Sequence, residues 1–259
     1  MRPGVGMIFD RALTPELLDV ALRVATTAGA SPDSRRLLTV ALRDYVNDQE
    51  AQGKTKKDLS RIWVRPPAPA RAMIAWAIEN QHLDPEHTIL HLGAILATFP
   101  FAGVVAAIAG RQLQLEGQID ARAVRFQTRG TLGDRSSIDV GARKVVTSLR
   151  YLGLIERSSS GLLVLGRQPA VPDGLQGWIT HALLLTRQAE EIGTDEASRA
   201  PELATVKVLP GVTSDYPLLE LHTEPGRNVA VPADAFGFCE PQAARFEHEG
   251  DESYPRRLF

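Results

Sequence analysis

Residues 136–167 read SSIDVGARKVVTSLRYLGLIERSSSGLLVLGR, and the organisation of the chain follows from this stretch. Ile138, Ala142, Val145, Leu149 and Leu152 are spaced four, three, four and three residues apart, so a helix places them on one apolar face. Ser136 or Ser137 is a suitable capping residue at its start, and Gly153 a suitable stop at its end. Leu154-Ile155-Glu156-Arg157 then reads as a strand, Ser158-Ser159-Ser160-Gly161 as a turn, and Leu162-Leu163-Val164-Leu165 as the returning strand.

On the N-terminal side, Phe101 to Leu115 reads as an apolar helix broken by Gly117. Gln118-Ile119 is a short extended piece, and Asp120 caps a helix expected through Thr128. Arg129-Gly130-Thr131-Leu132-Gly133-Asp134-Arg135 reads as a turn. Over residues 101–167 the chain therefore runs helix, extended piece, helix, turn, helix, hairpin. That order, with the phrase Tyr151-Leu152-Gly153-Leu154-Ile155-Glu156 leading into a polar turn, resembles the winged helix-turn-helix superfamily, with no particular family picked out. The resemblance implies a mainly α fold containing a winged helix-turn-helix, here followed by a small β-containing C-terminal region (α+β). It also implies that the helix after the turn reads the major groove of double-stranded DNA.

The residues suit that chemistry. Arg143, Thr147 and Arg150 recur at spacings of four and three opposite the apolar stripe, with Lys144 beside them. Arginine can bond a guanine edge bidentately, while Thr and Lys suit bases or phosphates. Ser136 and Ser137, with the backbone amides of a helix start, can hold a phosphate. Arg129 and Arg135 border the turn, Arg122 and Arg125 precede it, and Arg157 and Arg167 flank the hairpin. Residues 111–157 hold 9 basic against 5 acidic side chains, so the unit is modestly basic. The hairpin tip Ser158-Ser159-Ser160 is uncharged. A protein-docking scaffold, in which the same unit meets no DNA, is the alternative that this pattern leaves open.

The chain has 259 residues, 44% hydrophobic and 23% charged, with a net charge of −2. These totals support a buried core and exclude a disordered polymer or a collagen. The near-neutral sum is built from opposite parts: residues 1–157 carry 21 Lys/Arg against 16 Asp/Glu, and residues 158–259 carry 8 against 15. The basic part can face phosphates, and the acidic C-terminal part can dock a protein partner. One cysteine, Cys239, allows no internal disulfide, which fits a cytoplasmic setting. Met1 to Asp10 has one Arg and no long apolar run, so no secretory leader is expected.

No Asp, Glu, Lys or Arg occurs in the 24 residues between Glu86 and Arg111. That length could cross a bilayer, but Pro100 interrupts it and His87, His91 and Thr98 lie within it. Two buried core helices meeting at Phe99-Pro100-Phe101 are expected, and no membrane.

Thr14-Pro15-Glu16 and Ser31-Pro32-Asp33 are both helix starts, the second opening a helix that runs through Leu37, Leu38, Ala41, Leu42 and Tyr45 and ends before Gly53. Residues 53–69 read as a break, basic at Gly53-Lys54-Thr55-Lys56-Lys57 and closed by Pro66, Pro67 and Pro69. Gly53-Lys54-Thr55 is not a phosphate-binding loop, because the glycine required five residues earlier is Asp48. Arg71 to Asn80 is a further short helix, and Asp84-Pro85-Glu86 starts the next.

His87 and His91, four apart on a helix, could share a metal, but Thr88 stands where a zinc-protease motif needs Glu, and no cysteine is near. Neither a metal nor a cofactor is expected. Cys239 with His222 or His248 has the residue types of a nucleophile and base but no pattern that joins them. Glu190-Glu191 and Asp195-Glu196 read as solvated acids. No enzyme is expected.

Leu175 to Ile192 reads as a helix, followed by strand-like runs at 204–209, 218–222 and 228–231 with a hairpin turn at Glu224-Pro225-Gly226-Arg227. The expected divisions are 1–68, an N-terminal helical region with its basic linker; 69–170, helical core plus the winged helix-turn-helix; 171–239, helix and short strands; and 240–259, an acidic tail that is either disordered or an interaction peptide ordered by a partner, with Tyr254, Leu258 and Phe259 at its end favouring docking. Together these imply a DNA-binding regulator or an accessory subunit of a multi-protein DNA-handling machine. The layout loosely resembles accessory proteins of phage-defence complexes.

Overall fold

The structure, a computed structural model, describes residues 8–29, 31, 33–211 and 215–233. Cys239, His248 and the 240–259 tail lie outside the described residues.

The first helix, α1 (Pro15–Ala28), starts as the sequence predicts: the Thr14 hydroxyl accepts the Leu17 N–H, and Pro15 occupies the first turn. The next is shorter than its pattern suggests. α2 (Ser34–Ala41) gives way to a 310 turn over Leu42–Asp44. Leu37 and Tyr45 remain exposed because the helix buries only Ser34 and Leu38.

The basic break does not exist as such. Residues 53–57 lie inside α3 (Gln49–Leu59), which the Asp48 carboxylate caps by accepting the Ala51 N–H at 2.6 Å. Its buried face is Ala51, Thr55, Asp58 and Leu59, at helical spacing, while the lysines lie outward. A π-helical turn, Ser60–Val64, extends it until Pro66 and Pro67 end the run.

Asp58 holds the N-terminal segment onto α3. Its Oδ2 accepts the N–H groups of Asp10 and Arg11, each at 3.0 Å, and its Oδ1 is buried with no partner among the described residues. Burial first, then the neighbouring Asp10 carboxylate, pushes the Asp58 carboxyl up to about 7 from 3.8. A raised carboxyl contributes stability that is complete below about pH 4 and is lost as pH climbs through about 7. Asp58→Asn keeps an acceptor for the two N–H groups and cannot ionise. The variant should therefore gain on wild type by on the order of 2–4 kcal/mol between pH 4 and pH 8. Urea melts across that range measure the difference; a constant gap would exclude an uncharged Asp58 at the lower end.

Four more helices build the centre. α4 (Arg71–Glu79) precedes α5 (Thr88–Thr98), whose first turn is capped by Asp84 Oδ2, the acceptor for the Ile89 and Leu90 N–H groups. Every residue of α5 is buried. α6 (Pro100–Glu116) leaves it at a bend of 117°, as Pro100 implies. No single helix among the described residues is long and apolar enough to cross a membrane. α9 (Gln176–Arg187) crosses α5 where a Cβ on Gly93 would meet the Trp178 ring at 2.2 Å. The Trp178 Nε1–H donates to the Met73 carbonyl at 3.1 Å. A single cluster of buried side chains runs from Phe9 to Ala230.

Between α6 and α9 lie β1 (Gln118–Ile119), α7 (Ala121–Leu132), α8 (Ser136–Tyr151), β2 (Ile155–Arg157) and β3 (Leu163–Leu165). The three strands make one antiparallel sheet in the order β1-β3-β2, with Ile119 opposite Leu163 and Glu156 opposite Val164. α7 runs four residues beyond the predicted end, so the turn shrinks to Gly133–Arg135. Buried Val124 and Thr128 continue the helix into the glycine-rich stretch, and Gly133, at φ 106°, stops it.

After α9 the sequence reading is corrected twice. The helix ends at Arg187, with Gln188 at φ 53°, and Ile192–Gly193 forms β4 instead. Residues 204–209 form no strand; Lys207 makes one isolated bridge with Ala170. β5 (Leu219–Glu224) and β6 (Arg227–Pro232) flank the expected turn, and β6 sits between β4 and β5. A five-residue helix, α10 (Thr194–Ser198), and a 310 turn (Pro201–Leu203) fill the interval. Arg187 grips Glu202 with two bonds of 2.9 Å and Glu196 with one of 2.5 Å, which ties α9 to both.

Candidate nucleic-acid interface

α8 is continuous, so its sequence spacing becomes geometry. Ile138, Ala142, Val145 and Leu149 are buried against the core. Ser136, Val140, Arg143, Thr147 and Arg150 recur at three- and four-residue intervals on the other side, and all but half-buried Thr147 are exposed. The Thr147 hydroxyl donates to the Arg143 carbonyl at 2.8 Å, which leaves its oxygen as an acceptor. Val140 and Tyr151, at 41% and 51% exposure, add apolar surface that the basic pattern did not signal.

The start of α8 differs from expectation. Arg135 holds the capping position, and Ser136 and Ser137 occupy the first turn, with no side chain capping the helix. Both serines are exposed. Their backbone N–H groups precede the helical ladder, whose first bond at this end runs from the Ile138 N–H to the Arg135 carbonyl. An anion seated there would meet those amides, the two hydroxyls and Arg135.

The arginines divide by their partners. Arg125 bonds Asp139 at 3.2 Å and so joins α7 to α8. Arg129 faces Asp134 at 3.7 Å across the turn. Arg167 is turned away from the hairpin to Glu86 and Thr88. Arg135, Arg143, Lys144, Arg150 and Arg157 make no ion pair among the described residues, and all but half-buried Lys144 are exposed.

A further cation comes from far away in sequence. The Leu13 N–H donates to the Ser148 hydroxyl at 2.9 Å, and Ile8 packs where a Cβ on Gly141 would lie 2.4 Å from its methyl group. The N-terminal segment thus lies along α8 and brings Arg11 close to Lys144. Burial, followed by repulsion from Arg143 and Arg11, holds the Lys144 ammonium below its usual range. Nothing local marks Arg11; its position depends on the contacts to Asp58 and Ser148.

Gly53-Lys54-Thr55 sits in the middle of α3, and Lys54 pairs with Glu50 at 2.5 Å. His222 lies on β5 beside Glu220. His87 is not on a helix: it precedes α5 in the left-handed region, at φ 54° and ψ 11°, whereas His91 is fully buried within α5. No family model, curated protein or solved structure matches this chain.

Proposed function

We propose that α6 to β3 form a winged helix-turn-helix that binds double-stranded DNA, with α8 in the major groove and β2–β3 as the wing. One observation carries this reading. The strands make a three-stranded sheet in the order β1-β3-β2 beside α8, whose outward face bears Arg143 and Arg150 without acidic partners among the described residues. Arg135, Ser136 and Ser137 would take one phosphate, Arg157 a second from the wing, and Lys144 with Arg11 a third. Arg129 stands by the turn for a further backbone contact once its long pair to Asp134 is exchanged.

The protein would then act in the cytoplasm as a regulator or as an accessory subunit of a DNA-handling machine, phage-defence complexes included. Its acidic C-terminal part would meet a protein partner. A docking scaffold without DNA contact is the second reading. It is favoured by Phe126, which α7 leaves 69% exposed, and by Val140 on α8.

Anisotropy of a labelled duplex of about 20 base pairs tests both. Four phosphate contacts predict a log–log salt slope of about −3.6, a loss of about two orders of magnitude in affinity between 50 and 200 mM salt. No binding at 50 mM salt, or binding indifferent to salt, favours the scaffold.

A further inference from the structure

We infer that Asp19, His87 and His91 form a binding site for one divalent ion of the zinc class, which clamps α1 to the start of α5. The sequence offers two histidines and no third ligand. The fold supplies it from 68 positions away: Asp19 Oδ1 lies 2.7 Å from His87 Nδ1 and 3.1 Å from His91 Nε2. All three donor atoms lie within 4.8 Å of one another.

The spacing suits an ion. Nitrogen and oxygen ligands held about 2.0–2.1 Å from a tetrahedral zinc are themselves about 3.3 Å apart, so the carboxylate–imidazole separations of 2.7 and 3.1 Å need to open by about 0.6 and 0.2 Å. Two imidazoles and one carboxylate are a donor set of borderline softness, which favours zinc-like ions over calcium or magnesium.

Two other features point the same way. His87 is one of two non-glycine residues at positive φ among those described. A side chain held in that uncommon conformation at a convergence of ligands is a mark of a functional constraint. The surroundings are also acidic. Asp84 faces His91 from the α5 cap, Glu16 stands one turn before Asp19, and Glu86 is next to His87, with Arg167 as the opposing charge on Glu86.

Access and rigidity are both present. The His91 side chain is 1% exposed and packs at its ring edge against Trp63, so it is fixed. Asp19 and His87, at 33% and 25%, open the site to solvent. An ion would enter from that side and keep water in its remaining position. Three protein ligands plus water also describe an open site; the role assigned is structural, the joining of α1 to α5.

Zn2+ and Co2+ titrations of the full chain test the site. One equivalent of Zn2+ should bind with a Kd in the micromolar range or below and raise the Tm by about 5 °C at saturation. Co2+ should give the visible absorption of a nitrogen- and oxygen-ligated ion. His87→Gly removes a ligand and also relieves the left-handed backbone, so the variant should fold at least as stably as wild type without metal. It should bind Zn2+ at least 100-fold more weakly and lose the Co2+ band; Asp19→Asn should lose at least 10-fold. Absence of a stoichiometric ion, or equal binding by both variants, would reduce the cluster to Asp19 accepting two imidazole N–H bonds.

Discussion

Replacing Arg143 and Arg150 together by alanine should weaken duplex binding by about 30- to 20,000-fold at 150 mM salt, with no measurable change in Tm. Each arginine that bonds a base edge bidentately supplies about 1–3 kcal/mol, and each factor of ten is about 1.4 kcal/mol. Both side chains are exposed, seven residues apart on the outward face of α8, and neither is in an ion pair among the described residues. Their loss therefore leaves no buried charge behind, and surface substitutions of this kind stay within about 0.5 kcal/mol of wild-type stability. The salt slope should fall only where a lost contact was to phosphate. Arg227→Ala, in the β5–β6 hairpin and paired with Glu224 and Glu191, removes a surface arginine elsewhere and should leave binding within about twofold. Undiminished affinity in the double variant would remove α8 from the major groove.

That experiment rests on elements whose signals are local. The apolar stripe of α8, the stop at Gly153 and the hairpin around Gly161 depend on residues within a few positions of one another, and the structure has them within one or two residues of the sequence reading. α3 was not legible in the same way, because Gly53 and three lysines resemble a loop in composition; its one cue was Asp48 ahead of Ala51. β4 was hidden because two residues carry no periodicity and its partner, β6, is more than thirty positions away. The candidate sites split likewise. The α8 arginines could be read from spacing alone, whereas Arg11 beside Lys144 and Asp19 beside the two histidines exist only after α1 and the N-terminal segment have packed.

The same distinction accounts for the uncharged stretch before Arg111, whose composition resembles a membrane segment. Its small residues mark close helix crossings. A Cβ on Gly103 would meet the Thr186 methyl at 1.9 Å, and one on Gly110 would lie 1.8 Å from the Pro201 carbonyl oxygen and 2.7 Å from its carbon. At Gly110 the obstruction is backbone, and Glu202, the next residue after Pro201, is itself held by the two-bond grip of Arg187. Neither side can yield cheaply. Gly110→Ala should cost about 3 kcal/mol, in the range of overpacked cores, and lower the Tm by roughly 6–12 °C. Gly130→Ala is the counter-case: it is helical, in α7, and its Cβ would meet nothing within 4 Å. There the alanine removes only backbone freedom from the unfolded chain and should add about 0.5–1 kcal/mol. Opposite signs from one chemical change at two helical glycines, read by calorimetry, would establish that α6 touches the Pro201 backbone. Two stabilised variants would mean that the helix and that segment stand farther apart.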